Sequence, residues 1–126
     1  FSILSPLKEN GFAFKNKIIK MGLEKKYCST RAINSSVLSL ASNKKTTLNK
    51  LFLAGKKAID LDGADVLILG CMSMAFHDIT GILETKLKVP VINPVKASLL
   101  MAESLVKMGI SHSKLAYPTP PSKIIY

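Results

Sequence analysis

The chain has 126 residues, enough for one domain with a real core but short for two, and 48% of them are hydrophobic, which excludes a disordered polymer. Its formal charge is +10, yet the lysines are scattered, Arg31 is the single arginine and tryptophan is absent. That argues against a nucleic-acid module, which gathers arginine and aromatics on one face, and leaves at most a mild steering of anionic substrates. No apolar run approaches the roughly 20 residues of a membrane helix, the first residues show no signal-peptide pattern, and two cysteines make no disulfide framework. A cytoplasmic location is therefore expected.

Residues 1–5 read as a strand, closed by Ser5-Pro6 because the residue before proline is held extended. A strand on the very first residues suggests a piece of a longer chain. Phe14, Ile18 and Met21 then recur at helical spacing over residues 7–21, and Gly22 is a credible C-cap. Residues 27–34 form a weaker strand candidate, rich in β-formers. A serine-rich connector over residues 35–41 follows, and Ser42 or Asn43 can cap the next helix. That helix places Leu48, Leu51, Phe52, Gly55 and Ile59 on one face and is closed by Gly63.

The run Val66-Leu67-Ile68-Leu69 reads as a strand buried on both faces, of the kind found inside a parallel sheet. Gly70 gives the backbone room to turn, and a helix is predicted from Cys71 to about Leu87, with Ile79, Ile82, Leu83 and Leu87 inward. A short strand over residues 89–93 leads to Pro94, which suits the first position of a helix. That last helix directs Val95, Leu99, Ala102 and Leu105 or Val106 inward and stops at Gly109. The remainder, with Pro118, Pro120 and Pro121, looks like an extended tail.

Strands that alternate with helices imply an α/β fold, an open parallel sheet of about four strands with helices on both faces. In such sheets ligands bind at the carboxyl ends of the strands, where Ser5, Asn34, Cys71 and Asn93 all emerge. Cys71 falls at a strand end and at a helix start, where backbone N–H groups and the helix dipole favour a thiolate. Free cysteine is also a common core residue, but this position makes acid–base or nucleophilic chemistry the better reading. Cys28 reads as structural. His77 reads as an exposed helix residue unless it touches Cys71, and Met72, Met74, Met101 and Met108 read as packing. No metal-ligand spacing and no glycine-rich phosphate loop is present, so neither metal nor cofactor is expected.

The stretch from Gly63 to Met74, with Val89-Pro90-Val91-Ile92-Asn93-Pro94-Val95, resembles the aspartate/glutamate/hydantoin racemase superfamily, its hydantoin racemase branch above all. Cys71 and Met74 keep the spacing of that branch's second catalytic cysteine and its following methionine. Gly22-Leu23, Arg31-Ala32 and the Tyr117-Pro118 tail are similar to further family segments, so the resemblance covers essentially the whole chain. It implies two similar α/β lobes with one cysteine each. One thiolate takes the α-proton, and the opposing thiol returns a proton from the other face without cofactor or metal. Backbone N–H groups of Met72 and Ser73 would hold the developing enolate oxygen, with Ser5 and Asn93 as further substrate-binding residues.

The family's first cysteine belongs to the N-terminal lobe and has no counterpart here. Asn93 stands where an acidic residue is common, and Ser73 where glycine is usual. The resemblance further implies that residues 1–95 form the C-terminal lobe, and that residues 96–126, the last helix and tail, pack on an absent N-terminal lobe. The expected reading is thus a fragment of a hydantoin or amino-acid racemase, inactive alone, with a small-molecule substrate and no nucleic-acid or membrane partner. Self-association stays open. The alternatives are a non-catalytic binding or regulatory domain with this fold, and a one-cysteine decarboxylase or isomerase relative.

Overall fold

In a computed structural model, which describes residues 1–75 and 79–122, four strands alternate with six α-helices. The strands are β1 (Ser2–Ser5), β2 (Ser29–Ala32), β3 (Leu67–Leu69) and β4 (Val91–Ile92). The helices are α1 (Asn10–Lys20), α2 (Val37–Ser42), α3 (Lys44–Asp62), α4 (Met72–Ala75), α5 (Thr80–Leu87) and α6 (Pro94–Lys107). The strands form one parallel sheet in the order β2-β1-β3-β4, the architecture expected from the alternation. Among the described residues, no helix is long and apolar enough to cross a membrane.

Register decides the two faces. Ile3 lies opposite Ile68 and Leu4 opposite Leu69, and side chains alternate along a strand. Leu4, Leu67 and Leu69 therefore share one face, where they meet Leu51 and Ala58 of α3 and Leu83 of α5 in a sealed core. The helix α3 comes close because its contact stripe is small. A Cβ on Gly55 would stand 2.7 Å from Leu87 Cδ1 and 3.0 Å from Leu67 Cδ1. On the opposite face, α1 buries Ile18 and brings Phe14 against Ile3 and Gly70.

Several local expectations change. The serine-rich connector contains a helix, α2: the Ser36 side chain accepts from Ser39 N at 3.2 Å, and Leu40 is fully buried. One cap and one buried leucine outweigh serine's weak helix propensity. Asn43, not Ser42, caps α3 by accepting from Thr46 N at 2.9 Å. The buried stripe of α3 is Thr47, Leu51, Ala54, Gly55 and Ala58, while Leu48, Phe52 and Ile59 are only partly buried at its margin. Met21 is exposed just past α1, where the chain turns away through left-handed Gly22.

The helix expected from Cys71 to Leu87 is two pieces, α4 and α5. Ile79 and Leu83 are buried, but Ile82 is exposed. The strand expected to be buried on both faces is sealed only on the α3 side, since Val66 and Ile68 are half-buried. The largest departure is α6. None of its residues is buried, and Leu99, Ala102 and Val106, expected to point inward, face solvent. Its amphipathic pattern is real, but among the described elements it meets α4, with Val95 half-buried against the core, while Leu99, Leu100 and Val106 stay open.

Candidate active site

The central strand β3 delivers Cys71 to the carboxyl rim of the sheet. Gly70 sets how it arrives: its N–H donates to Leu4 O at 2.8 Å, tying the turn to β1. A Cβ at position 70 would meet Ile3 Cγ2 at 2.7 Å, Leu4 O at 3.0 Å and Phe14 Cζ at 3.1 Å. The glycine is there for close approach of strand and helix, not for a special backbone angle.

Cys71 is a free cysteine, half-buried and packed against the core. Its carbonyl accepts from Met74 N at 3.1 Å, which starts α4 immediately after it. Met74 and Ala75 are buried and anchor this turn, while Met72 is exposed. The N–H groups of Met72 and Ser73 head the helix, where no intrahelical carbonyl reaches them. Since the described part of α4 is one turn, Met72–Ala75, these N–H groups, rather than the macrodipole of a helix running to Leu87, are the polar feature beside Cys71.

Asn93 holds the same rim from β4. Its Oδ1 accepts from Val95 N at 2.9 Å and Lys96 N at 3.2 Å, capping α6, and its Nδ2 donates to Ala75 O at 3.0 Å. One side chain thus links the start of α6 to the end of α4. Ser5, at the end of β1, is fully buried, and its hydroxyl donates to Leu7 O at 2.9 Å. The adjacency of β1, β3 and β4 brings Ser5, Cys71 and Asn93 to one rim. Asn34 lies beyond the edge strand β2 in the left-handed region, at φ 49°. His77 lies outside the described residues. Cys28 is exposed just before β2, and Met101 and Met108 are exposed rather than packed.

The sequence reading missed a polar cluster at the opposite, amino end of the sheet. Asp62, the last residue of α3, accepts from Arg31 Nε at 2.7 Å and Ser29 Oγ at 2.6 Å, and also pairs with the second guanidinium arm of Arg31. Hydrogen bonding from Arg31 holds the Asp62 carboxyl below its usual range, with Ser29 adding to it and burial opposing it. The same bond to Asp62 raises Arg31. This cluster staples α3 to β2 and stands away from the rim. Its partners are over thirty residues apart, so no local pattern announces it. The capping role of Asn93 did have a signal, an asparagine directly before a first-turn proline. No group of acidic, histidine or cysteine side chains among the described residues could hold a metal ion.

A parallel sheet with a half-buried free cysteine just past the carboxyl end of a central strand defines an α/β domain with a cysteine at the carboxyl rim of its sheet. A family model described as Asp/Glu/Hydantoin racemase matches residues 1–102, and the chain belongs to that family. Hydantoin racemase from Paenarthrobacter aurescens is 33% identical over 98% of this chain and 52% of its own length. The hydantoin racemase of Pseudomonas sp. (strain NS671) is 31% identical over 98% of this chain and 49% of its own. Two solved allantoin racemases share the fold. That of Pseudomonas fluorescens has a TM-score of 0.82 at 29% identity, over all of this chain and 53% of its own. That of Klebsiella pneumoniae scores 0.83 at 28% identity, over all of this chain and 51% of its own. The chain spans about half the length of the relatives it matches.

Proposed function

We propose that this chain is the Cys71-bearing half of a cofactor-independent racemase acting on a hydantoin ring or a related α-carbon acid. The Cys71 thiolate removes the α-proton. The electron pair of the broken C–H bond moves onto the neighbouring carbonyl, which becomes an enolate. A second thiol, carried in the part of the relatives' length that this chain does not span, donates a proton to the opposite face. As that proton arrives, the enolate collapses and its electron pair forms the new C–H bond, giving the other enantiomer and leaving the second thiol ionised. No metal or organic cofactor is needed for this sequence, only one ionised and one protonated thiol with amide donors at the enolate oxygen.

The N–H groups of Met72 and Ser73 are those donors in this reading. Ser5 and Asn93 frame the substrate beside them: the Ser5 oxygen keeps lone pairs after donating to Leu7, and Asn93 keeps one amide hydrogen. Residues 96–126 pack on the other lobe, a reading supported by the exposed apolar row of α6. By itself the chain holds half a site and is inactive. Free thiols that must stay unoxidised suit the reducing cytoplasm.

The observation that carries this reading is the half-buried Cys71 at the end of β3, directly before the N–H groups of α4. The test is α-deuterium incorporation and loss of optical rotation from an enantiopure 5-substituted hydantoin, using the full-length protein that contains this chain. Cys71→Ser should lower the rate by about 10²–10⁴-fold. Undiminished racemisation by Cys71→Ser would overturn the assignment.

A further inference from the structure

A second concave site lies on the flank of the sheet, away from Cys71. It has a volume of about 380 Å³ and opens between edge strand β2 with the turn after it, residues 30–34, and the middle of α3. On the helix side the wall is Lys50, Leu53, Ala54 and Lys57. This i, i+3, i+4, i+7 stripe sets two lysines about 10 Å apart along the axis, with apolar carbon between them. Lys8, from the turn after β1, and Arg31, from β2, complete the positive lining.

The charge in this cleft is unbalanced. Among the described residues no carboxylate lines it, and Asp62, the acid that pairs with Arg31, stands outside the lining. Three lysine charges are left facing one concavity. Lysines on an ordinary helix surface spread into solvent, but Lys50 does not: it is half-buried, and its Nζ donates to Ser35 Oγ at 2.7 Å. Ser35 is itself buried. A tethered, half-buried Lys50 with Lys8 and Lys57 beside it is a like-charged cluster, unfavourable while empty and relieved by an anion. The volume suits a small organic molecule.

We infer that the flank between β2 and α3 binds a small organic oxyanion with an acidic group at each end, phosphoryl or carboxylate, held by Lys50 and Lys57 over Leu53 and Ala54. One strand, β1, lies between β2 and the β3 that leads to Cys71, two inter-strand spacings or roughly 10 Å of sheet, so its occupant is a second ligand and not the compound that meets the thiol.

The test is calorimetric titration of the chain at fixed ionic strength with butane-1,4-diyl bisphosphate and with suberate, which separate phosphoryl from dicarboxylate ligands of matching span. At least one should bind saturably. Lys50→Gln and Lys57→Gln should each weaken that binding about tenfold, and Lys107→Gln on α6 should leave it unchanged. In the unsubstituted chain, amide resonances of residues 30–34 and 50–57 should shift during the titration, a readout that does not depend on any variant folding. Absence of saturable binding by both probes overturns the inference. Equal loss in Lys107→Gln, or resonance shifts spread over every lysine-bearing helix, does so too, since either reports diffuse surface charge.

Discussion

Helices α3 and α6 carry apolar residues at helical spacing, and they meet opposite fates. The helix α3 buries Thr47, Leu51, Ala54, Gly55 and Ala58 against the sheet, whereas α6 has no fully buried residue and only Val95 packs against the core. By composition α6 is the more apolar of the two. Apolarity therefore does not decide burial. A partner surface does, and small residues decide how closely it approaches. The core on the α3 side is closed by Gly55 meeting Leu67 and Leu87, while the Leu99, Leu100 and Val106 side chains of α6 lie open.

Five substitutions would break or sharpen that contrast, each read by urea denaturation of the 126-residue chain. Leu51→Ala, which empties a fully buried site under α3, should cost about 2–5 kcal/mol. Gly70→Ala should cost about 1–3 kcal/mol, because the new methyl meets the Leu4 carbonyl, a backbone atom that cannot swing aside. Asn93→Ala removes the cap of α6 and the tie to Ala75, and should cost about 1 kcal/mol. A smaller loss there would show that α6 is anchored by something other than its first turn.

Asp62→Asn should cost below about 1 kcal/mol at neutral pH, since the pair is partly solvated. Its pH profile is more informative. The Asp62 carboxyl is lowered in the folded state, so its contribution is present above the ordinary carboxylate value of about 4 and fades as pH falls through the lowered one. The variant should lose less stability than the parent over that acidic interval. Parallel profiles would remove Asp62 from the account. Leu99→Gln, on the open side of α6, should change stability by no more than about 0.5 kcal/mol. A loss near that of Leu51→Ala would show that α6 is covered in solution and collapse the comparison.

What the sequence disclosed follows the same line. Strand–helix alternation and the run over residues 66–69 are local patterns, so the parallel sheet and the emergence of Cys71 at its rim could be read directly. The stripe of α6 could be read as well, but its burial could not, because that depends on a surface elsewhere. Helix α2 was hidden because serine's poor propensity says nothing of the Ser36 cap or the buried Leu40. The Arg31–Asp62 staple and the basic cleft beside β2 arise from chain crossings that no window of sequence contains. At the rim, Ser5 and Asn93 were legible as positions. Their present hydrogen bonds to Leu7 and Ala75 emerge only from three-dimensional packing.

Gly70 has a mechanical consequence. With an amide clamped to the Leu4 carbonyl and no room for even a methyl group, the peptide that carries the sulfur cannot slide or tilt independently of the first strand. The thiol is indexed to the slab beneath it. Apart from rotation about its own Cα–Cβ bond, any change in where the sulfur stands must come from moving the slab as one body, with the pivot outside the sheet.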